Sequence, residues 1–416
     1  MNIRIKKMLQ ASVALIMSVA VLSSCGKKDP TLKSLFASED HINGRAGVCV
    51  PYSALEDEDR MALVAREYNS ITCENEMKPE SILGTSPNLS NETDDYGDKI
   101  PTLDFTRADA ILDYVLNYNE ENPNDKFSVR GHVLVWHSQT PTWFFREGYS
   151  ASGDYVTKEH MLYRLEWYIR SVMEHFDGED SPYKGLIYAW DVVNEQIEPN
   201  DYNKDTNPNK LRCYHNGQPT DWYQIFQGDN SYITQAFVYA NRYAPESVKL
   251  FYNDYNDSNP GKARNICNLI QEIKATEGAR IDGMGMQGHY GIDWDYATQI
   301  EKAIRMYAEV VDEIQITELD LQASSGYTHY MPDEEYEKQA TWYKYLFDML
   351  ARVDHEDGID ITAITFWGTD DGSSWLNDAS NVGGGANGRD QAPLLFDAEL
   401  NPKPAYYSVL GIEEPA

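Results

Sequence analysis

Basic residues are scarce. The 416-residue chain carries 35 Lys and Arg against 67 Asp and Glu, a formal net charge of −32. That balance argues against DNA, RNA or an anionic membrane surface as a partner, because each would be repelled. A polyanionic substrate is disfavoured for the same reason, and a neutral one fits. Cysteine is sparse too: the five residues show no C-x-x-C and no His-Cys spacing of a metal site. Cys49, Cys73, Cys213 and Cys267 leave room for a disulfide that the sequence does not identify. Cys73, inside an apolar stretch, reads equally well as a buried thiol. No internal repeat of about 20–50 residues is present. The Gly-rich stretch 383–388 is too short to serve as a phosphate-binding loop.

Long apolar runs are also lacking, apart from one at the start. Residues 8–22 are mostly apolar, follow the basic Arg4, Lys6 and Lys7, and precede Ser23-Ser24-Cys25. This is the pattern of a secretory signal, 1–24, and it is short for a membrane span. Leu22-Ser23-Ser24-Cys25-Gly26 resembles the lipobox of bacterial lipoproteins. It implies lipidation at Cys25 and an exported protein held at the cell envelope by that anchor alone. Residues 25–40, polar and aperiodic, are expected to form a tether, and 41–416 a single domain.

What the chain does contain is alternation. Strand-like segments fall at 46–50, 70–73, 128–136, 186–193, 248–252, 283–288, 313–317 and 361–366. Several are continuous apolar runs, as strands covered on both faces should be. Helical patterns lie between them at 57–68, 106–116, 158–175, 233–243, 262–276, 296–310 and 334–350. Ile233, Ala236, Phe237 and Ala240 show the spacing of a buried helix face, and Asn259-Pro260 reads as a helix start. Eight alternations predict a (β/α)8 TIM barrel, whose active sites lie at the carboxyl ends of the strands. The long polar connections 79–103, 196–222 and 368–392 each follow a strand and should rim that face.

Two acids sit at the polar ends of such strands. Glu195 closes Ala189-Trp190-Asp191-Val192-Val193-Asn194-Glu195, and Glu318 falls in Ile316-Thr317-Glu318-Leu319-Asp320. Strand residues two apart point the same way, so Glu318 and Asp320 should both face the mouth. His289, held by Asp320, could donate to Glu318 and keep it ionised. Glu195 would need burial or a nearby negative charge to stay protonated, and Glu318 across the cleft is a candidate source. Converging carboxylates of unlike ionisation are the equipment of glycoside hydrolysis. Glu, Asn, Lys, Gln and His beside Trp suit sugar binding, through hydrogen bonds and ring stacking.

The chain from about residue 41 to 411 resembles glycoside hydrolase family 10, mostly endo-β-1,4-xylanases. The resemblance runs through Glu74-Asn75-x-x-Lys78, His132-x-x-x-Trp136-His137-x-Gln139 and Trp190-Asp191-Val192-Val193-Asn194-Glu195. It continues through Asn253-Asp254-Tyr255-Asn256, Gln287-Gly288-His289, Ile316-Thr317-Glu318-Leu319-Asp320, and Trp367 with Trp375. It implies Glu195 as acid/base, Glu318 as nucleophile, Asn194 as a sugar contact, and His289 and Asp320 as supports. It also implies that Glu74, Asn75, Lys78, His132, Trp136, Gln139, Gln287, Trp367 and Trp375 line the non-reducing-side subsites. Tyr255 and Asn256 would lie on the leaving-group side. A retaining reaction on xylan without metal or cofactor follows, with the carboxyls about 5–5.5 Å apart, and a monomer is expected. Two other readings stay open: the same barrel acting on another β-linked glucan, or a lipid-anchored glycan-binding protein without turnover. The connection 196–222 is longer than the family pattern leads one to expect.

Overall fold

The computed structural model describes residues 29–38, 41–293, 297–322, 332–377 and 391–414. Cys25, the signal segment and the Gly-rich stretch 383–388 lie outside them. The compact unit Thr31–Ala416 is built on eight strands: β1 (Arg45–Val50), β2 (Ser70–Cys73), β3 (Ser128–Val135), β4 (Ile187–Asn194), β5 (Lys249–Asp254), β6 (Gly283–Met286), β7 (Glu313–Gln322) and β8 (Ile361–Phe366). Each pairs in parallel with its neighbours in chain order, and β8 pairs back onto β1, so the sheet closes. Closure removes every free edge of the barrel sheet. This is the predicted (β/α)8 barrel.

Eight helices cover it: α1 (Glu58–Glu67), α2 (Thr106–Glu121), α3 (Lys158–Asp177), α4 (Ser231–Tyr243), α5 (Pro260–Ala275), α6 (Ala297–Ala308), α7 (Asp333–Asp357) and α8 (Pro404–Leu410). Their starts follow capping chemistry. Asp57 accepts from the Arg60 amide, Thr157 from that of His160, and Asn259 from those of Gly261 and Lys262, with Pro260 opening α5. α7 runs past the expected end because Val353 still buries on the core, and it stops at Gly358, whose φ is +67°. α8 carries too short a stripe to show as a period. It is fixed instead by burial of Ala405 and by the Tyr406 hydroxyl, which donates to Glu67 Oε1 at 3.0 Å.

The expected tether needs correction at its carboxyl end. Residues Leu32–Phe36 form a helix whose Leu32 and Phe36 are fully buried, with a capping box at Thr31. The Leu32 amide donates to Glu67 Oε2 at 3.1 Å, and Lys33 Nζ to the Ala65 carbonyl at 2.7 Å. Five residues are too few to display a helical period, and an i, i+4 pair alone did not reveal it. Cys49, Cys73, Cys213 and Cys267 are free and buried.

β7 extends beyond the expected end at residue 317. A short strand, His289–Gly291, pairs with it in register, His289 opposite Asp320. Glu318 and Asp320 therefore lie within a paired strand, which fixes their backbone. Beneath them the barrel interior is polar. Arg130 Nη2 donates to Asp191 Oδ1 at 2.7 Å and Arg130 Nε to Gln315 Oε1 at 2.8 Å, joining β3, β4 and β7. Asp191 Oδ2 meets both Arg130 Nη1 and His132 Nδ1. A buried guanidinium and carboxylate of this kind persist because each satisfies the other.

Candidate active site

Glu195 is the first residue past β4, and it adopts the left-handed region with φ +57°. Non-glycine residues there carry strain that the surroundings must hold. Its amide donates to the Asn253 carbonyl at 2.9 Å, and its own carbonyl accepts from Arg212 Nε at 2.9 Å. The bend turns the carboxyl into the mouth, where the side chain stays 14% exposed.

Glu195 and Glu318 share one amide network. Asn253 Nδ2 donates to Glu318 Oε1 at 2.7 Å and to Asn194 Oδ1 at 3.0 Å. Gln287 Nε2 donates to Glu195 Oε1 at 2.9 Å and to Asn194 Oδ1 at 3.2 Å, while Asn194 Nδ2 faces Glu195 Oε1 at 3.3 Å. Thr317 Oγ1 donates to Asn253 Oδ1 at 2.6 Å and so sets its amide orientation. Asn194, Asn253 and Gln287 are almost wholly buried, so each geometry is fixed by packing as well as bonding.

The two carboxyls are shifted in opposite directions. Burial alone would raise Glu318. The hydrogen bond from His289 and the positive fields of His132, His289 and Lys78 overcome it and bring Glu318 down to about 2. His289 likewise resists burial: Asp320 and Glu318 push it up to about 10. Glu195 is raised, first by burial and then by the Asp254 charge. Gln287 and Arg212 oppose this, and Glu318 adds a smaller push. The expectation that Glu318 would hold Glu195 protonated therefore changes: desolvation and Asp254 come first. His137 Nε2 lies 3.9 Å from Glu195 Oε2. Burial and the nearby Arg212, His215 and Lys262 hold its imidazole well below its usual range, so it brings no positive charge to Glu195.

The remaining predicted residues gather around this pair. Lys78 Nζ donates to Asn75 Oδ1 at 3.0 Å and lies 5.1 Å from the Trp136 ring and 5.9 Å from that of Trp367. Gln139 Nε2 donates to Asn75 Oδ1 at 3.2 Å. Glu74 is raised, chiefly by burial. His132 meets the Trp367 ring edge-on at 5.4 Å, and Trp375 Nε1 donates to Asp320 Oδ2 at 2.7 Å. Tyr255 and Asn256 follow β5 on the side of the 196–222 connection. The Tyr255 hydroxyl accepts from Arg212 Nη2 at 2.7 Å, and Asn256 is exposed.

Arg212 escaped the reading of the sequence, while Asn253, Asp254 and His137 stand in the quoted motifs but were given no role there. Asn253 ends a strand as Asn194 does, and the same alternation could have found it. Asp254 neighbours it in the same motif, and His137 stands inside the His132–Gln139 segment. Arg212 sits in the long connection 196–222, where no periodicity marks any residue. That connection carries a two-stranded hairpin, Tyr214–His215 with Gln218–Pro219. It places His215 Nδ1 3.2 Å from His137 Nε2.

An ionised acid facing a raised one at the mouth of a (β/α)8 barrel, flanked by Trp and amide side chains, defines a glycoside hydrolase site. The match to known proteins narrows the class. The model of glycosyl hydrolase family 10 matches residues 34–412, and the chain belongs to that family. It is 36% identical over 93% of its length to endo-1,4-beta-xylanase A of Thermotoga maritima, and 34% identical over 88% to endo-1,4-beta-xylanase Y of Acetivibrio thermocellus. The chain spans about a third (31%) of the length of each of those curated relatives. It is 34% identical to endo-1,4-beta-xylanase B of Paenibacillus barcinonensis, with 92% of this chain and 98% of that protein covered. Among solved structures it resembles the CBM22-1–GH10 modules of Clostridium thermocellum xylanase 10B, complexed with xylohexaose. There the TM-score is 0.75 and the identity 34%, over 92% of this chain and 68% of that one.

Proposed function

We propose that the protein is a retaining endo-β-1,4-xylanase. The observation that carries this is one amide network that joins Glu318 and Glu195 while their surroundings shift the two carboxyls in opposite directions, Glu318 down and Glu195 up. The Glu318 carboxylate attacks the anomeric carbon as the glycosidic C–O bond breaks, and the Glu195 proton passes to the departing oxygen. Glu195 then takes a proton from water as that water displaces Glu318 from the glycosyl-enzyme. Lys78, Asn75, Gln139 and the Trp136 and Trp367 rings bind the non-reducing side of the chain. Tyr255 and Asn256 bind the leaving side. The xylanase names of the relatives and the xylohexaose complex support xylan as the substrate.

The test is Glu318→Gln on plain xylan, with the product anomer followed by NMR in the wild type. The expected result is a rate loss on the order of 10⁴-fold and β-configured first product. Near-wild-type turnover, or α-configured first product, would sink the proposal.

Export as an envelope lipoprotein is part of the same reading, resting on the basic, apolar and Ser-Ser-Cys25-Gly pattern of the amino terminus. The full chain expressed in a bacterium with a radiolabelled fatty acid should be labelled, and Cys25→Ala should lose both label and membrane association. Label retained by that variant would remove Cys25 from the reading.

A further inference from the structure

A second cluster of donor atoms lies outside the catalytic mouth. A hairpin in the connection after β2 pairs Leu89–Thr93 with Lys99–Pro101, and its turn meets the first turn of α3. There Asp94, Asp98 and His160 bring one ligand atom each to within 4.8 Å of the others. His160 Nε2 stands 3.8 Å from Asp94 Oδ2 and 3.5 Å from Asp98 Oδ2.

Two of these atoms are buried and unsatisfied. The Asp94 side chain is 4% exposed, and its Oδ1 accepts from the amides of Tyr96 and Asp98. Its Oδ2 accepts no hydrogen bond among the described residues, and His160 Nε2 makes none there either, its nearest acceptors being the two carboxylates at 3.5 and 3.8 Å. His160 is 8% exposed, and the Tyr96 ring stacks on it at 3.9 Å. A buried carboxylate oxygen without a donor is costly. A protonated imidazole could serve, but His160 lies in the first turn of α3, where the helix dipole opposes positive charge, and the Arg164 guanidinium stands one turn on, bonded to Asp98. A neutral imidazole offers a lone pair, not a charge.

We propose that Asp94, Asp98 and His160 bind a divalent cation of the zinc type. One imidazole nitrogen and two carboxylate oxygens are zinc donors; with bonds of about 2.0–2.2 Å, tetrahedral angles call for donor separations of roughly 3.3–3.6 Å, which the His160–Asp98 distance of 3.5 Å meets and the His160–Asp94 distance of 3.8 Å meets on a small side-chain closure. Calcium, which prefers six or more oxygens, fits this set less well. Asp98 Oδ2 also accepts from Arg164 Nη2 at 2.6 Å. A ligand carboxylate oriented by an outer hydrogen-bond donor is usual at metal sites. Arg164 Nη1 reaches in turn to the carbonyls of Phe144 and Arg146. The ion would therefore fasten the hairpin after β2 and the connection after β3 to α3. Both connections rim the side where Lys78 and Gln139 lie. The role is structural, a staple for that rim.

The test uses the full chain stripped with a chelator and titrated with zinc chloride, followed by calorimetry and thermal unfolding. One equivalent should bind, with a saturable rise in Tm of a few degrees. Asp94→Asn keeps the Oδ1 contacts and should weaken binding at least tenfold; His160→Gln should do the same. Absence of a saturable heat and Tm shift would overturn the proposal. So would zinc binding unchanged in Asp94→Asn, which would place the metal elsewhere, for instance at His137 and His215. Calcium binding tighter than zinc would overturn the donor assignment.

Discussion

His289 is clamped between two acids of the same strand: its Nδ1 lies 2.9 Å from Asp320 Oδ2, and its Nε2 lies 3.3 Å from Glu318 Oε2. Because Trp375 also donates to Asp320 Oδ2 at 2.7 Å, the ring is oriented from behind. The arrangement makes His289 the group that keeps Glu318 ionised despite burial. Its titration is consequently tied both to activity and to folding.

For activity, His289→Gln removes a positive charge and the hydrogen bond that most lowers Glu318. Burial is then opposed only by His132 and Lys78, and the Glu318 pKa rises from about 2. The acid limb of kcat/KM should move up by roughly a unit or more. A profile measured from pH 2 to 8 on an aryl β-xylobioside reads it. An unmoved acid limb would show that His289 does not set the charge of Glu318.

For folding, the signs oppose. His289 titrates at about 10 in the fold against an ordinary 6.5. The stability it contributes is complete below pH 6.5 and is lost as pH rises through 10. Glu318, depressed from 4.5 to about 2, contributes stability present above pH 4.5 and lost as pH falls through 2. Urea midpoints of the wild type should therefore fall between pH 6.5 and 10 more steeply than those of His289→Gln. Parallel slopes in the two proteins would contradict the clamp.

Asp254 should control the other limb. Its Oδ1 accepts from Lys262 Nζ at 2.7 Å and its Oδ2 from the Tyr252 hydroxyl at 2.6 Å. Asp254→Asn removes the charge that, after burial, most raises Glu195. It also leaves the buried Lys262 uncompensated, which acts in the same direction. Glu195 should lose its proton earlier, so the alkaline limb of kcat/KM should move to lower pH. Breaking a buried pair costs about 3–5 kcal/mol, and a urea melt beside the rate profile separates the two effects.

The barrel and the carboxylate pair were legible because both rest on local periodicity. A period of two at 313–317 put Glu318 and Asp320 on one face, and the eight apolar runs set the strand count. What stayed hidden was long-range. Arg212 reaches Tyr255 and Glu195 from a connection without repeat, and Asp254 acts through space on the residue that follows another strand. The helix Leu32–Phe36 and α8 were too short to register a stripe. Glu318 looked like the natural source of charge on Glu195 because its position was known. The nearer charge of Asp254 had no such marker, because its approach to Glu195 depends on the packing of β4 against β5.

The packing between the barrel sheet and α3 makes Gly131 a sharp point. A Cβ there would lie 2.2 Å from Trp190 Cδ2, and Trp190 is fully buried. The indole has nowhere to retreat, since the Phe176 ring packs 6.0 Å from it on the helix side. Gly131→Ala should cost about 1–3 kcal/mol or more by overpacking. Urea unfolding at neutral pH measures it, and a change below roughly 0.5 kcal/mol would mean that the Trp190 contact is slack.

Arg212 offers the counterpart to Asp254. It belongs to the long connection and bonds the Glu195 carbonyl at 2.9 Å and the Tyr255 hydroxyl at 2.7 Å. Its charge lowers Glu195, opposing burial and Asp254. Arg212→Met keeps much of the stem and removes both. Glu195 should then hold its proton to higher pH, so the alkaline limb should move up, opposite to Asp254→Asn. Tyr255 also loses its donor, which should raise KM several-fold on xylotetraose yet leave it nearly unchanged on an aryl β-xylobioside, whose leaving group carries no sugar. Two variants on opposite sides of one acid, with limbs displaced in opposite directions, distinguish an electrostatic setting of Glu195 from general loosening of the mouth. Loosening would move both limbs the same way.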